Sequence, residues 1–339
     1  MAAKTDTLWQ GRLFILTLTH VVGTTGYMSV MAMAPVIRDD MAINATNFGF
    51  FMSAFFGAQM VAALPSGMIT DRLGVGRTLT LSMALICLGT AGFVLSPGFT
   101  QAFLAMFLMG LGYSLVNPAT ARAVVDWFPR RRRGTAMGIK QLGVPLGGVL
   151  AAGAGVLVVI LDWQTILWAV TAATLIAAVF SLRLAAHSDI VRRPQSLISE
   201  LKHVLGNRTL GVISISVVTF NTGQSCLFAY LTLFIRDAAL ASQPIAGLCM
   251  ALAQGASAGG RVGFSYLSDT LFLGARKPVA VGLLLASVVS LVAASLVDPG
   301  WPTWGLALLA LFMGGTIASY AALILAATAE AVAPERVGS

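Results

Sequence analysis

Apolar runs of about 20 residues, the length at which a helix crosses a bilayer, follow one another along this chain with only short polar breaks. They lie at 13–36, 48–70, 78–96, 99–125, 136–161, 163–184, 210–235, 245–268, 278–297 and 304–329. Backbone in hydrocarbon must satisfy its own hydrogen bonds, and segments of this length do so as helices. Only 10% of the residues are charged, whereas a soluble domain carries about 25%. The chain therefore reads as an all-α polytopic membrane protein with ten spans. The first run is longer than a signal-peptide core and is expected to remain as a helix.

The net charge of +8 is arranged by position rather than gathered into one patch. Sixteen of the 21 Lys and Arg fall at one set of loop ends, among them Lys4, Arg12, Arg72, Arg77, the four arginines at 130–133, Arg276 and Lys277. Only Arg38 and Arg236 fall on the opposite side. That bias makes the first set cytoplasmic and turns the arginine run into a topology anchor beside anionic lipid rather than a nucleic-acid site. Cys87, Cys226 and Cys249 stand singly in apolar runs, without metal-ligand spacing, and read as small core residues. No cofactor is expected. Asn44-Ala-Thr46 fits the glycosylation pattern, which is short enough to recur by chance.

The longest break, 187–208, contains Pro194 and places Leu197, Ile198, Leu201, Val204 and Leu205 at helical spacing beside Glu200, Lys202 and His203. It predicts a cytoplasmic linker with an amphipathic helix on the membrane surface. Around it the chain repeats. Gly49, Gly57 and Asp71 recur 198 residues later as Gly247, Gly255 and Asp269. Met109-Gly110 recurs 204 residues later as Met313-Gly314, and Pro129 recurs 205 later as Pro334. A slowly drifting offset is the mark of two copies with small loop insertions. The organisation expected is a six-helix bundle over 1–184, a linker over 185–209 and a second bundle over 210–339 with four helices. The second copy lacks the counterpart of the last two helices of the first, so twelve spans are expected of a complete chain.

The loop Gly67-Met-Ile-Thr-Asp-Arg-Leu-Gly-Val-Gly-Arg77 carries almost the only charges between two spans. Together with the repeat, it resembles the signature of the major facilitator superfamily of secondary transporters, with Gly67, Asp71, Arg72, Gly74 and Arg77 matching and the terminal basic cluster thinned. The resemblance covers the whole chain and implies two pseudo-symmetric helix bundles that rock about a central site. It further implies that Asp71 pairs with Arg77 and with the amides of a neighbouring helix start. Asp126 resembles the third partner, and Asp269, Arg276 and Glu330 stand in the corresponding places of the second half. Both trios are expected to hold an outward-open state; the plainer reading is a charged, topology-setting loop.

Three cations lie inside apolar runs: Arg122, Lys140 and Arg261. Arg122 reads as a side chain that snorkels to its helix end. Arg261 shares a helical face with Gln254, Ser257, Ser265 and Ser268, while Gly255, Gly259 and Gly263 form a stripe on the other side. Such stripes suit close helix packing, and the polar face is then expected to line a cavity. Lys140 begins a second stripe, Gly143, Gly147, Ala151 and Gly155. By the resemblance, Lys140 and Arg261 face one cleft, where an anion would relieve their repulsion. Arg261 also resembles the substrate-carboxylate arginine of oxalate/formate and monocarboxylate carriers. His20, Tyr27, Asn117, Gln141, Asn221, Gln224 and Tyr320 are further candidates, each with an ordinary interhelical hydrogen bond as its alternative. Asn221-Thr-Gly-Gln224 invites local unwinding. His20 is a candidate either for proton coupling or for structural packing.

The function expected is alternating-access transport of a small organic or inorganic anion, proton-coupled or not, by a monomer in the cell membrane with lipid as its other partner. A drug/proton antiporter is the alternative: Gly143-Val-Pro-Leu-Gly-Gly148 resembles the antiporter motif with altered spacing. A non-transporting sensor is a third reading. No nucleophile–base set, metal cluster or phosphate loop points to an enzyme.

Overall fold

A computed structural model of the chain describes residues 2–128, 130–185, 208–273, 275–321, 323 and 324. The described segments are helical throughout, and they divide into two compact units, Met1–Arg193 and Pro194–Ser339. The first holds α1 (Ala2–Ala32), α2 (Ala34–Asp40), α3 (Ala45–Leu73), α4 (Val75–Val94), α5 (Phe99–Ser114), α6 (Val116–Trp127), α7 (Arg130–Leu157) and α8 (Trp163–Ala185). The second holds α9 (Arg208–Asp237), α10 (Gln243–Thr270), α11 (Arg276–Ser295) and α12 (Thr303–Ile317). The linker helix expected at 197–205 lies outside the described residues.

Seven described helices are long and apolar enough to cross a membrane, with α5 and α6 counted as one span; α3, bent near Pro65, makes an eighth. Two of the ten expected spans differ in kind. α12 is apolar but short, and α10 is diluted by the polar face of Gln254, Ser257 and Ser268, all buried within its own unit. A helix that hides polar groups against its neighbours needs fewer apolar residues than one bathed in lipid.

The repeat has a physical counterpart. Gly110 of α5 lies against the Phe55 carbonyl of α3, and Gly314 of α12 lies against the Ala253 carbonyl of α10. Phe55 to Ala253 is 198 residues and Gly110 to Gly314 is 204, the same offsets at which the sequence repeats. The break at Leu115 between α5 and α6 likewise recurs 204 residues on, at Ser319, just past α12. The first break follows from Pro118, which has no N–H and whose ring crowds the Ser114 carbonyl. The second has no proline. Its freed Ala318 carbonyl accepts instead from Ser257 Oγ of α10 at 2.8 Å.

Turn chemistry explains the remaining boundaries. Gly74 joins α3 to α4 with φ 78° and ψ 166°, a conformation open essentially to glycine alone. Asn44 caps α3, its Oδ1 accepting from the Asn47 amide at 2.7 Å, so this side chain has a structural task of its own. At the same end of the unit the Trp163 indole donates to Asp40 at 3.0 Å and meets Phe93 edge-on at 6.0 Å. Of the three cysteines only Cys249 is fully buried; Cys87 is half-buried, and Cys226 is exposed rather than in the core.

The paired glycine contacts predict matched losses. Gly110→Val and Gly314→Val should each destabilise the protein by about 1–3 kcal/mol through overpacking against backbone. Gly259→Ala, where an added methyl meets no atom within 4 Å, should be close to neutral. Thermal unfolding in detergent would read all three.

Candidate functional site

The small-residue stripe of α7 decides where Lys140 goes. A methyl at Gly143 would sit 2.7 Å from the Thr17 carbonyl and the His20 Cβ, and one at Gly155 would sit 2.8 Å from the Ala32 carbonyl. Gly147 meets the Val21 carbonyl and Thr24 in the same way, and Ala151 is fully buried. Thr25 Oγ1 adds a hydrogen bond across the seam to the Gly147 carbonyl, at 3.2 Å. The stripe therefore packs α7 backbone to backbone on α1, as small residues do in membranes.

This contact brings Lys140, 2% exposed, beside His20, which is fully buried. Both reach for one oxygen. Lys140 Nζ donates to Thr120 Oγ1 of α6 at 2.9 Å, and His20 Nε2 lies 2.9 Å from the same atom. Thr120 Oγ1 in turn donates to the Val116 carbonyl at 2.8 Å. Its single proton is thereby used, so Lys140 and His20 Nε2 both donate to it, and His20 Nδ1 is left as an acceptor. That Nδ1 is buried and has no hydrogen-bond partner among the described residues. Among the described residues no carboxylate pairs with Lys140. Thr120 was not anticipated from sequence; a lone threonine in an apolar run carries no signal.

The other candidates of the first unit are arranged differently. Tyr27 stacks on Phe55 at 4.2 Å and meets Tyr113 edge-on at 5.3 Å, within a packed aromatic cluster. Thr24 and Tyr113 share a hydrogen bond of 3.0 Å one turn from His20. Asn117 is exposed beside the α5–α6 break, and Gln141 is half-buried.

In the second unit two candidates meet at the break after α12. The Tyr320 hydroxyl donates to Asn221 Oδ1 of α9 at 3.1 Å, and its ring stacks on Phe220 at 5.0 Å. Arg261 lies half-buried on α10 of the same unit. Gln224 is half-buried on α9 and Gln254 is 2% exposed on α10. Two expectations are corrected. α9 stays helical through Asn221–Gln224, its Gly223 packing against Ile317, and the unwinding falls on α12 instead. The stripe Gly255, Gly259, Gly263 is exposed and meets nothing within 4 Å. The face of α10 that packs is the polar one, through Ser257 and Gly260 against Ala318 and Ser319. The side chain of Ser265 lies outside the described residues.

The signature loop also has a different partner from the one expected. Asp71 pairs with Arg122 Nη1 at 3.1 Å, and Arg122 Nε donates to Asp126 one turn along α6. Arg72 and Arg77 are exposed, and Gly67 faces open space. Arg122 thus does not reach for the membrane surface: it ties the end of α3 to α6. The i,i+4 spacing of Arg122 and Asp126 was the available signal. In the second unit Arg276 Nη1 donates to Ser268 Oγ at 3.1 Å. The side chain of Asp269 and all of Glu330 lie outside the described residues. No group of His, Cys, Asp and Glu fit to hold a metal occurs among the described residues.

Known proteins share this architecture and sequence pattern. The sequence profile described as Major Facilitator Superfamily matches residues 15–339. The chain belongs to that superfamily; it is a multi-pass membrane protein of a transporter family, not an enzyme. It is 27% identical over 157 residues to the hexuronate transporter of Bacillus subtilis (strain 168), covering 45% of this chain and 37% of that protein. It is also 27% identical over 258 residues to the 3-(3-hydroxy-phenyl)propionate transporter of Escherichia coli (strain K12), 74% of this chain and 62% of the relative. A probable L-galactonate transporter of the same strain is 24% identical over 288 residues, 79% of this chain and 63% of the relative. The chain thus spans between 37% and 63% of these relatives' lengths. In fold it is similar to a bacterial homologue of the lysosomal transporter Spinster, with a TM-score of 0.79 at 17% identity over 95% of this chain and 75% of that one.

The Arg122 bridge is open to a double-mutant cycle. Asp71→Asn with Arg122→Gln should give a coupling of about 1 kcal/mol, as expected for half-exposed pairs, whereas Asp71→Asn with Arg77→Gln should give none. Thermal unfolding of the four single and double variants measures both.

Proposed function

We propose that the chain forms a secondary transporter that moves a small organic anion by alternating access, with Lys140 and Arg261 as the anion-attracting charges of its two units. The observation that carries this reading is Lys140 itself. An ammonium held within a membrane-spanning unit, with a neutral hydroxyl as its partner, costs several kcal/mol, a cost that a bound anion offsets. Arg261 belongs to the same unit as the hydrogen-bonded pair Tyr320 and Asn221, side chains able to orient a carboxylate or a hydroxyl. The relatives named above are carriers of sugar acids and of an aryl propionate, so a carboxylate is the substrate class favoured over a cationic drug.

The charge bias of the loops supports a plasma-membrane carrier with its N-terminus and linker in the cytoplasm. The protein acts as a monomer in lipid. The charged ends of α3 and α6, joined by Arg122, hold one of the alternating states together, with Asp269, Arg276 and Glu330 as the corresponding set in the second half.

Purified protein in sealed vesicles should take up labelled galacturonate, galactonate or 3-(3-hydroxyphenyl)propionate with saturation. Lys140→Met and Arg261→Met should each lower uptake by about 100-fold, the effect of losing one charged contact of about 2.7 kcal/mol. Uptake of lipophilic cations, untouched by both changes, would point to the antiporter instead.

A further inference from the structure

We propose that the cleft between α11 and α12, at the Asp298–Trp304 end of the second unit, binds one phospholipid with a primary ammonium headgroup, phosphatidylethanolamine. The site is independent of what the protein carries.

The cleft lies where the two halves of the chain differ. α4 and α11 are both 20 residues long, and Val75 to Arg276 is 201 residues, so Gly89 and Gly92 correspond to Ser290 and Ala293. Gly89 lets α4 lie so close to α5 that a methyl there would sit 2.9 Å from the Ala105 carbonyl. Ser290 and Ala293 put side chains at the matching places, and the Thr316 hydroxyl reaches Ser290 Oγ across the seam at 3.5 Å. Four residues join α4 to α5, but seven join α11 to α12. Helices spaced by side chains and tied by a longer loop diverge toward that loop. The cleft left between them is about 690 Å³, within the range of small-ligand sites.

Its wall faces hydrocarbon. Ala293, Leu308, Leu309 and Phe312 line it, and Leu308 is 56% exposed. Leu104 of α5, 204 residues earlier, is 59% exposed although α8 packs on α4 in its unit. The same face of the hairpin is thus open in both halves. From Trp304 to Phe312 the groove follows α12 for about 12 Å, a path for an acyl chain.

The mouth selects the headgroup. Trp301 and Trp304 stand there with Asp298, and Trp304 is 69% exposed. Tryptophans at a helix end sit at headgroup level. Asp298 is the single charge between Lys277 and Glu330. Its Oδ1 accepts from the Gly300 amide at 2.8 Å, which holds the carboxylate in the turn, and it enters no salt bridge among the described residues. A lone carboxylate beside two indole faces draws an ammonium, by charge-assisted hydrogen bonds and by the ring quadrupoles. The ethanolamine headgroup has N–H donors to give, as a lysine ammonium does. Choline has none, and phosphatidylglycerol brings a negative charge that Asp298 repels.

The full chain in phosphatidylcholine vesicles would be given phosphatidylethanolamine, phosphatidylcholine or phosphatidylglycerol brominated along the acyl chain, each in turn as a minor component. Quenching of tryptophan emission then reads binding. Phosphatidylethanolamine should bind about tenfold more tightly than the other two, the worth of one charge-assisted hydrogen bond. Asp298→Asn, whose amide oxygen keeps the bond from Gly300, should bring the three lipids level. Trp301→Phe combined with Trp304→Phe should remove the extra quenching by phosphatidylethanolamine. Equal quenching by the three lipids in the wild type overturns the proposal, as does a preference that survives either change. Absence of quenching by all three shows that protein covers the cleft, from this chain or from a second copy, and overturns it too.

Discussion

The contact between the backbones of α1 and α7 underlies the whole of the first unit's polar interior. Three glycines and an alanine at four-residue spacing let the helices approach until a methyl group would collide with main-chain carbonyls. In lipid there is no hydrophobic force to pull helices together, so such fit must hold them. The same closeness buries both Lys140 and His20. Their polar atoms must satisfy one another, and a single hydroxyl from α6 becomes the meeting point. Thus a feature of packing dictates a feature of electrostatics.

The two units solve a common problem with different parts. Each interrupts a helix after a glycine that touches the backbone of its neighbour, at positions 204 residues apart. In the first, a proline makes the interruption and the nearby cation is a buried lysine. In the second, a serine from the adjoining helix supports it and the cation is a half-buried arginine of that same helix. Many interhelix polar bonds among the described residues join neutral groups, which suits a bundle whose core must also remain apolar enough for the membrane.

Much of this was legible in the sequence, for identifiable reasons. Long apolar runs specify membrane helices almost by length alone, and Gly110 and Gly314 betray the repeat because backbone contacts tolerate no substitute. Lys140 was legible because a cation within an apolar run has few innocent explanations. Thr120 was not, because its importance comes from two residues distant in the chain. Arg122 was misread because length permits snorkelling, and only the fold brings Asp71 within its reach. The α10 stripe misled in a different way. Glycine spacing marks a face that can be approached closely, but which neighbour approaches it is a matter of tertiary arrangement. Within its unit that face is left to others, and the serines do the packing.

The Trp163 indole, hydrogen-bonded to Asp40 and wedged against Phe93, stands 6% exposed at the end of the first unit opposite the Asp71 loop. A carboxylate beside an indole shifts its emission, and a ring edge held against another aromatic restricts its rotation. The protein therefore contains an optical gauge of its own, placed where α2 and the start of α8 meet. Any movement that parts those two segments would change what Trp163, one of six tryptophans, contributes to the colour and polarisation of the emission.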